Sequence, residues 1–318
     1  MKQWKQLDKR ARIGLIVGAF LGITLGVQHF IPNKVSEKPS TKNELEMVDD
    51  AAWKEDWNKV IDLTNNCWGN TMKAYYRNLA FAHKGCLADS LMHHYAPFER
   101  ALFYPVDEHG NSFTMTAASE AWWHVGDLTM AEHATMLGMI FTPEHKSTRG
   151  LQRLYQINCA SGNQQAAAKY KRILEAENNE VPEFVPEKKY CHTADTLRLS
   201  SQYQNMLRSL LKQDTNNRLA HEYLLCLDLL LKDLVSFQAD FSAYGLPKPS
   251  VLFEEAMLIL MYSNATLREP WKPFVSENAY ARFMHFTKLL QEGNKNELTK
   301  QYQHTYWYYF QFAQRNKQ

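Results

Sequence analysis

The 318-residue chain has little glycine, proline or cysteine. It contains 13 glycines, 11 prolines and 5 cysteines, which excludes a collagen-like or low-complexity chain and a small disulfide-bonded scaffold. Its 36 basic and 34 acidic side chains leave a net charge of +2, so the composition predicts no nucleic-acid partner. Because 45% of the residues are apolar, the chain is long enough and apolar enough for one or two packed cores.

Motifs that carry known chemistry are also absent from the sequence. It has no glycine-rich phosphate loop, no G-x-S-x-G, no H-E-x-x-H and no C-x-x-C pair. Seven of the 12 histidines lie between His83 and His145, but the adjacent His93 and His94 would point about 100° apart on a helix. We therefore predict no catalytic residue, no cofactor and no metal site. The cysteines are interpreted as small buried residues, with one or two disulfides as the alternative in an oxidising compartment.

The amino-terminal segment is the part of the chain with a strong charge bias. Residues 1–12 hold five basic side chains against Asp8, a net +4 that leaves −2 for the remainder. Residues 13–31 carry no formal charge over 19 positions, about the minimum for a membrane-spanning helix. This pattern predicts a cytoplasmic head, a transmembrane signal anchor at 13–31 and a polar tether at 32–43. The competing interpretation is a cleaved signal peptide.

The orientation of the anchor predicts where the rest of the chain lies. Positive charge before the apolar run places the amino terminus in the cytoplasm, so we expect a single-pass inner-membrane protein with a periplasmic carboxyl-terminal domain. Within the run, glycine recurs at every fourth position, at Gly14, Gly18, Gly22 and Gly26. This spacing predicts a face that packs against another membrane helix, although glycine is also common in membrane helices generally.

Beyond the tether, residues 44–318 have the pattern of consecutive helices. Apolar residues recur at spacings of three and four, and alternating strand patterns are nearly absent. Four similar interruptions are centred on Gly85, Gly126, Gly162 and Lys232, which are 41, 36 and 70 residues apart. A period near 34 is typical of a helix-turn-helix repeat. We therefore predict an all-α solenoid of stacked helix pairs, with a possible sub-boundary near residues 179–190, where prolines break the pattern.

One segment in particular is similar to a tetratricopeptide repeat. In residues 112–145, Trp122 takes the inner aromatic position, Gly126 the turn, Ala131 the close-packing site and Pro143 the terminal proline. Residues 149–174 fit the same template through Gly162 and Ala167. The fold class is therefore predicted as a TPR-like, all-α solenoid preceded by one transmembrane helix.

Several longer strings carry a family resemblance. They are NLAFAHKGCLADSLM at 78–92, CHTADTLRL at 191–199, NNRLAHEYLLCLDLLLKDLVSF at 216–237 and HTYWYYF at 304–310. Together they resemble an uncharacterised family of Bacteroidetes membrane proteins defined by a domain of unknown function. The resemblance implies a membrane-attached helical-repeat domain and no established catalytic residue. Members often have several spans before the domain, whereas this sequence predicts one.

The predicted architecture favours binding over catalysis. Stacked helix pairs form extended surfaces that suit a protein or peptide partner, and we expect a periplasmic scaffold. Trp122, Trp123, Tyr306 and Trp307 are candidates either for the core or for a partner groove. Two alternatives stay open. One is a glycan-acting enzyme with a buried Glu120 or Glu222 as general acid. The other is a structural subunit that docks on a multi-span membrane complex through the glycine face.

Overall fold

The computed structural model describes residues 42–65, 68–177, 179–186, 190–193 and 202–314. Within these ranges the backbone forms helices and no strand, apart from one isolated bridge between Asp127 and Cys191. The all-α prediction is confirmed. The predicted anchor at 13–31, its four glycines and most of the tether lie outside the described residues. No helix in the described part of the chain is long and apolar enough to cross a membrane.

The described helices fall into two compact units, a larger one up to residue 250 and a smaller one from 251 to 313. The larger unit contains α1 Lys42–Trp53, α2 Trp57–Leu63, α3 Thr71–His83, α4 Leu87–Ser90, α5 Ser112–Val125, α6 Leu128–Ile140, α7 Thr148–Ala160, α8 Gln164–Ala176, α9 Tyr203–Gln213, α10 Arg218–Leu230 and α11 Leu234–Tyr244. The smaller unit contains α12 Val251–Ser263, α13 Arg268–Trp271, α14 Glu277–Gln291, α15 Lys295–Tyr302 and α16 Tyr306–Phe312. The predicted sub-boundary near 179–190 lies within the larger unit.

The four predicted interruptions share one turn geometry. The central residue has a left-handed backbone at each turn, with φ of 66° at Gly85, 94° at Gly126, 76° at Gly162 and 59° at Lys232. The following N–H donates to the carbonyl five residues earlier at 2.8 to 2.9 Å, which is the closing bond of a Schellman motif. The turn at Gly293 of the smaller unit has the same geometry. The interruptions are therefore helix-to-helix turns of a single kind.

A polar residue directly after most of these turns starts the next helix. The side chains of Asp127, Asn163, Asp233 and Asn294 each accept the backbone N–H three residues further along. Such a bond satisfies one of the amide groups that a helix start leaves unpaired. A left-handed residue followed by a capping side chain thus defines four of these five turns through local contacts.

Small residues let the paired helices α5 and α6 approach closely. A Cβ added at Gly138 would lie 3.3 Å from the Cβ of Met115, so this position has no space for a larger side chain. Ala131 is buried in the same pair, and its carbonyl accepts the hydroxyl of Thr135 at 2.7 Å. Ala167 is buried between α7 and α8. Pro143 is exposed in the connection after α6.

The four aromatic residues considered for a partner groove all lie in the core. Trp122 and Trp123 are buried, and Trp122 stacks on Phe103 with ring centroids 4.4 Å apart. In the smaller unit, Tyr306 and Trp307 are buried at the start of α16. Their burial leaves no accessible aromatic face for a partner, which favours the core interpretation of these four side chains.

Candidate functional site

A highly charged buried cluster in the larger unit surrounds Glu120 on α5. Its side chain is 1% exposed, and both carboxylate oxygens lie 2.8 Å from the Nη2 of Arg153 on α7. Arg149, one turn earlier on α7, donates to Glu120 at 3.0 Å. The Nε2 of His124 lies 3.6 Å from the same carboxylate. Two guanidinium groups therefore neutralise one buried acid.

A second acid extends the cluster to the first described helix. Asp49 on α1 accepts hydrogen bonds from Arg149 and from the hydroxyl of Tyr76 on α3. Burial raises the pKa of Asp49, and this outweighs the opposing effect of Arg149. Burial would likewise raise the pKa of Glu120, but Arg153, the His124 hydrogen bond and Arg149 together hold it well below its ordinary value. Glu120 is thus ionised at neutral pH.

Two tryptophan rings lie against the arginines of the cluster. The guanidinium of Arg153 lies 4.5 Å from the ring centroid of Trp53 and 4.6 Å from that of Trp123, a cation–π arrangement on both faces. Arg149 lies 4.7 Å from the Trp53 ring. The cavity beside these side chains has a volume of about 10 Å³, which is roughly the space for one water molecule. No organic substrate fits there.

The two acids considered for catalysis therefore have different environments. Glu120 is ion-paired and holds no proton at neutral pH, so the geometry does not suit a general acid. Glu222 on α10 is buried and accepts the backbone N–H of Ala88 at 3.0 Å. Burial raises its pKa, while this hydrogen bond and the charge of Lys248 lower it. Its carboxylate supports the start of α4, which is a structural role.

Two of the histidines, His83 and His124, pack against Trp57 in the larger unit. Trp57 stacks on His83 with centroids 4.0 Å apart, and His124 meets both rings edge-on. No group of three or more His, Cys, Asp or Glu among the described residues could hold a metal ion. The four described cysteines form no disulfide, and Cys67 lies outside the described residues.

The smaller unit has an open groove at its surface. The groove has a volume of about 590 Å³, which is within the usual range for binding pockets. Leu258 and Phe283 are buried at its base. The side chains of Tyr262, Tyr280 and Met284 also line it and are 38%, 54% and 41% exposed. Large apolar side chains are thus accessible along one concave surface.

Charged side chains also line this groove. Arg268 and Lys272 come from the segment between α12 and α14, as does Glu269, and Glu277 starts α14. Two cations and two anions give the lining no net charge. This groove was not predicted from the sequence, because the segment that contains Pro270 and Pro273 carries no binding motif. The available signal was the apolar side chains of α14 at 280 and 284, a pair at helical spacing beside the fully buried Phe283 and Phe286.

Comparison with protein families adds one finding. Residues 3–313 match the model of a family of unknown function, DUF6057. The chain belongs to this family. Membership confirms the expectation of a family defined by a domain of unknown function, and it assigns no role to any residue. No curated protein and no solved structure matches the chain.

Proposed function

We propose that this DUF6057 chain is a membrane-anchored scaffold that binds a protein or peptide partner through the groove of its smaller unit. The groove is the observation that carries the proposal, because it combines an accessible apolar lining with a volume of about 590 Å³. Residues such as Tyr280 and Met284 cost free energy when they face water, so a partner that covers them gains by burying them.

The larger unit supports the scaffold role by its architecture. Consecutive helix hairpins with left-handed turns at Gly85, Gly126 and Gly162 are what TPR-like repeats require. Small residues at Gly138 and Ala131 allow α5 and α6 to cross closely, which supports a repeat of this type. Helix hairpins of this kind are typical of proteins that bind partners without chemistry of their own.

The proposed location rests on the amino-terminal sequence. A net +4 head before 19 uncharged residues orients a signal anchor with its amino terminus in the cytoplasm. The helical units would then lie in the periplasm of a bacterium of Bacteroidetes type, tethered within reach of other inner-membrane proteins. Residues 13–31 would also supply the glycine face for contacts within the membrane.

Replacement of the exposed apolar lining tests the proposal. Full-length chains with Tyr280→Glu and Met284→Glu would be compared with wild type after mild solubilisation of membranes and chemical crosslinking. Val235→Glu, at an 80% exposed position in the larger unit, is the matched control. We expect the same crosslinked partner with wild type and control, reduced at least tenfold in the double variant. A partner recovered equally with all three chains would overturn the assignment to the groove.

A further inference from the structure

The walls of the groove are helical, and this limits the shape of its partner. Leu258, Met261 and Tyr262 lie on α12, while Tyr280, Phe283 and Met284 lie on α14. Among the described residues there is no strand and hence no free sheet edge to extend. The partner cannot add a strand here, which leaves side chains between helices as the mode of contact.

The lining also limits how the backbone N–H and C=O groups of a bound partner can form hydrogen bonds. A peptide in extended form needs hydrogen-bond partners along its length, because buried N–H and C=O groups without partners are costly. The base and walls here are mainly apolar, and the Nε of Arg268 already donates to the carbonyl of Met261 at 3.1 Å. A helix satisfies its backbone internally and needs only an apolar surface.

Methionine and aromatic side chains suit the apolar face of such a helix. Met261 and Met284 lie on opposite walls, and the flexible thioether of methionine adapts to aliphatic side chains of different shape. Tyr262 and Tyr280 add broad, rigid contact area with a polar tip that can stay in water. Large apolar side chains spaced three and four residues apart would therefore enter the groove.

The charges around the groove select the polar flanks of the partner. Lys272 and Glu277 are exposed, and Arg268 and Glu269 line the groove with them. Because the signs balance, the lining has no attraction for an anionic membrane surface or for a strongly basic or acidic peptide. It complements a helix that carries both signs on its flanks and little net charge.

From these features we infer that the groove takes an amphipathic α-helix of near-neutral charge, with Leu or Met on its apolar face. This inference rests on the proposed function and names its partner class. The binding free energy comes from burial of the apolar faces, while the flanking charges set the orientation of the helix. Binding should consequently depend only weakly on salt.

Synthetic peptides test the inference with the full-length chain in detergent. The first peptide is an amphipathic helix of about four turns, made of Leu, Met, Ala, Glu and Lys with no net charge. A second has the same composition in an order that removes the apolar face, and a third carries a central proline that breaks the helix. We expect the first to bind by fluorescence anisotropy, with at least tenfold weaker binding of the other two.

Groove variants separate this inference from the proposed function. Tyr280→Glu with Met284→Glu should weaken the first peptide at least tenfold, and Val235→Glu should leave it unchanged. If the proline peptide binds as well as the helix and both depend on Tyr280, the groove is a peptide site but the helical partner class is wrong. If the helical peptide binds the groove variants as tightly as wild type, the inference is also wrong. Partner crosslinking that is equal in wild type, the groove variant and the control, in contrast, overturns the proposed function itself.

Discussion

Each unit contains a buried carboxylate, but the partners of the two carboxylates differ. In the larger unit, Glu120 pairs with Arg149 and Arg153, and about 10 Å³ of cavity remains beside it. In the smaller unit, Glu255 on α12 is also buried, but it accepts the backbone N–H of Tyr306 at 2.6 Å. Its unit also presents a groove of about 590 Å³.

This difference separates a closed structural cluster from an open surface. The charges around Glu120 pair mainly with one another, although the buried Nε atoms of Arg149 and Arg153 have no hydrogen-bond partner. The adjacent cavity of about 10 Å³ is too small for an organic ligand. The smaller unit leaves apolar side chains such as Tyr280 accessible. The buried charges around Glu120 are thus enclosed, whereas the groove of the smaller unit is accessible.

The largest effect is expected on breaking the closed cluster. Glu120→Ala leaves Arg149 and Arg153 buried without their main counter-charge, which should lower the free energy of unfolding by about 3–5 kcal/mol. Denaturant unfolding of the full-length chain in detergent measures this loss. Asp50→Asn is the control, because the Lys54–Asp50 ion pair has a similar N···O distance of 2.7 Å but is exposed. Its loss should cost at most about 1 kcal/mol, and equal losses would contradict a structural role for the cluster.

The second prediction concerns the pH dependence of the smaller unit. Burial raises the pKa of Glu255 from 4.5 to about 7, against the hydrogen bond from Tyr306 and the charge of Arg282, while Glu254 adds to the rise. Because the folded-state pKa is the higher one, the stabilisation is fully present below pH 4.5 and is lost as pH rises through 7. The loss is about 3 kcal/mol. The pKa of Glu120 is lowered instead, so its contribution to stability is lost only as pH falls into the acid range.

Glu255→Gln separates the pH dependence caused by Glu255 from that caused by other buried acids, such as Asp228. The amide oxygen of glutamine still accepts the Tyr306 N–H but does not ionise over this pH range. Hydrogen exchange of the α16 amides, corrected for the intrinsic rate, should show wild type losing protection relative to the variant between pH 5 and pH 8. A constant difference across this range would show that Glu255 ionises as freely as it does in the unfolded chain.

The smallest effect is expected at the left-handed glycine turns, which occur in both units. Gly162 in the larger unit and Gly293 in the smaller one have φ of 76° and 70°, and an added Cβ would meet nothing within 4 Å at either. Gly→Ala should therefore cost only the left-handed backbone penalty, about 1–2 kcal/mol at each position. Thermal unfolding of the two variants measures both losses. A clearly larger loss at one position would show that the hairpin turns are not equivalent.

Local patterns in the sequence predicted the helices and their turns well. Gly126 and Asp127 specify a turn and a cap through neighbouring atoms alone, so a single sequence contains the required information. Lys232 was placed at the same turn by its spacing, although its side chain does not favour that backbone. The structure confirms its left-handed geometry.

Long-range contacts could not be predicted in the same way. No pattern near Glu120 in the sequence indicates its contacts with Arg149 and Arg153, which lie 29 and 33 residues away. The groove is likewise formed by helices separated by a proline-containing segment. Its apolar residues have the same types as core residues, so only the three-dimensional packing distinguishes Tyr280 at the surface from Phe283 beneath it.

Site-specific photocrosslinking in membranes tests most directly whether the partner surface lies in the smaller unit. A benzophenone side chain would replace Tyr280 in one full-length chain and Val235, at an exposed position of the larger unit, in another. We expect a discrete crosslinked product from position 280 and none from position 235. A product from position 235 alone, or none from either position, would contradict the assignment of binding to the groove.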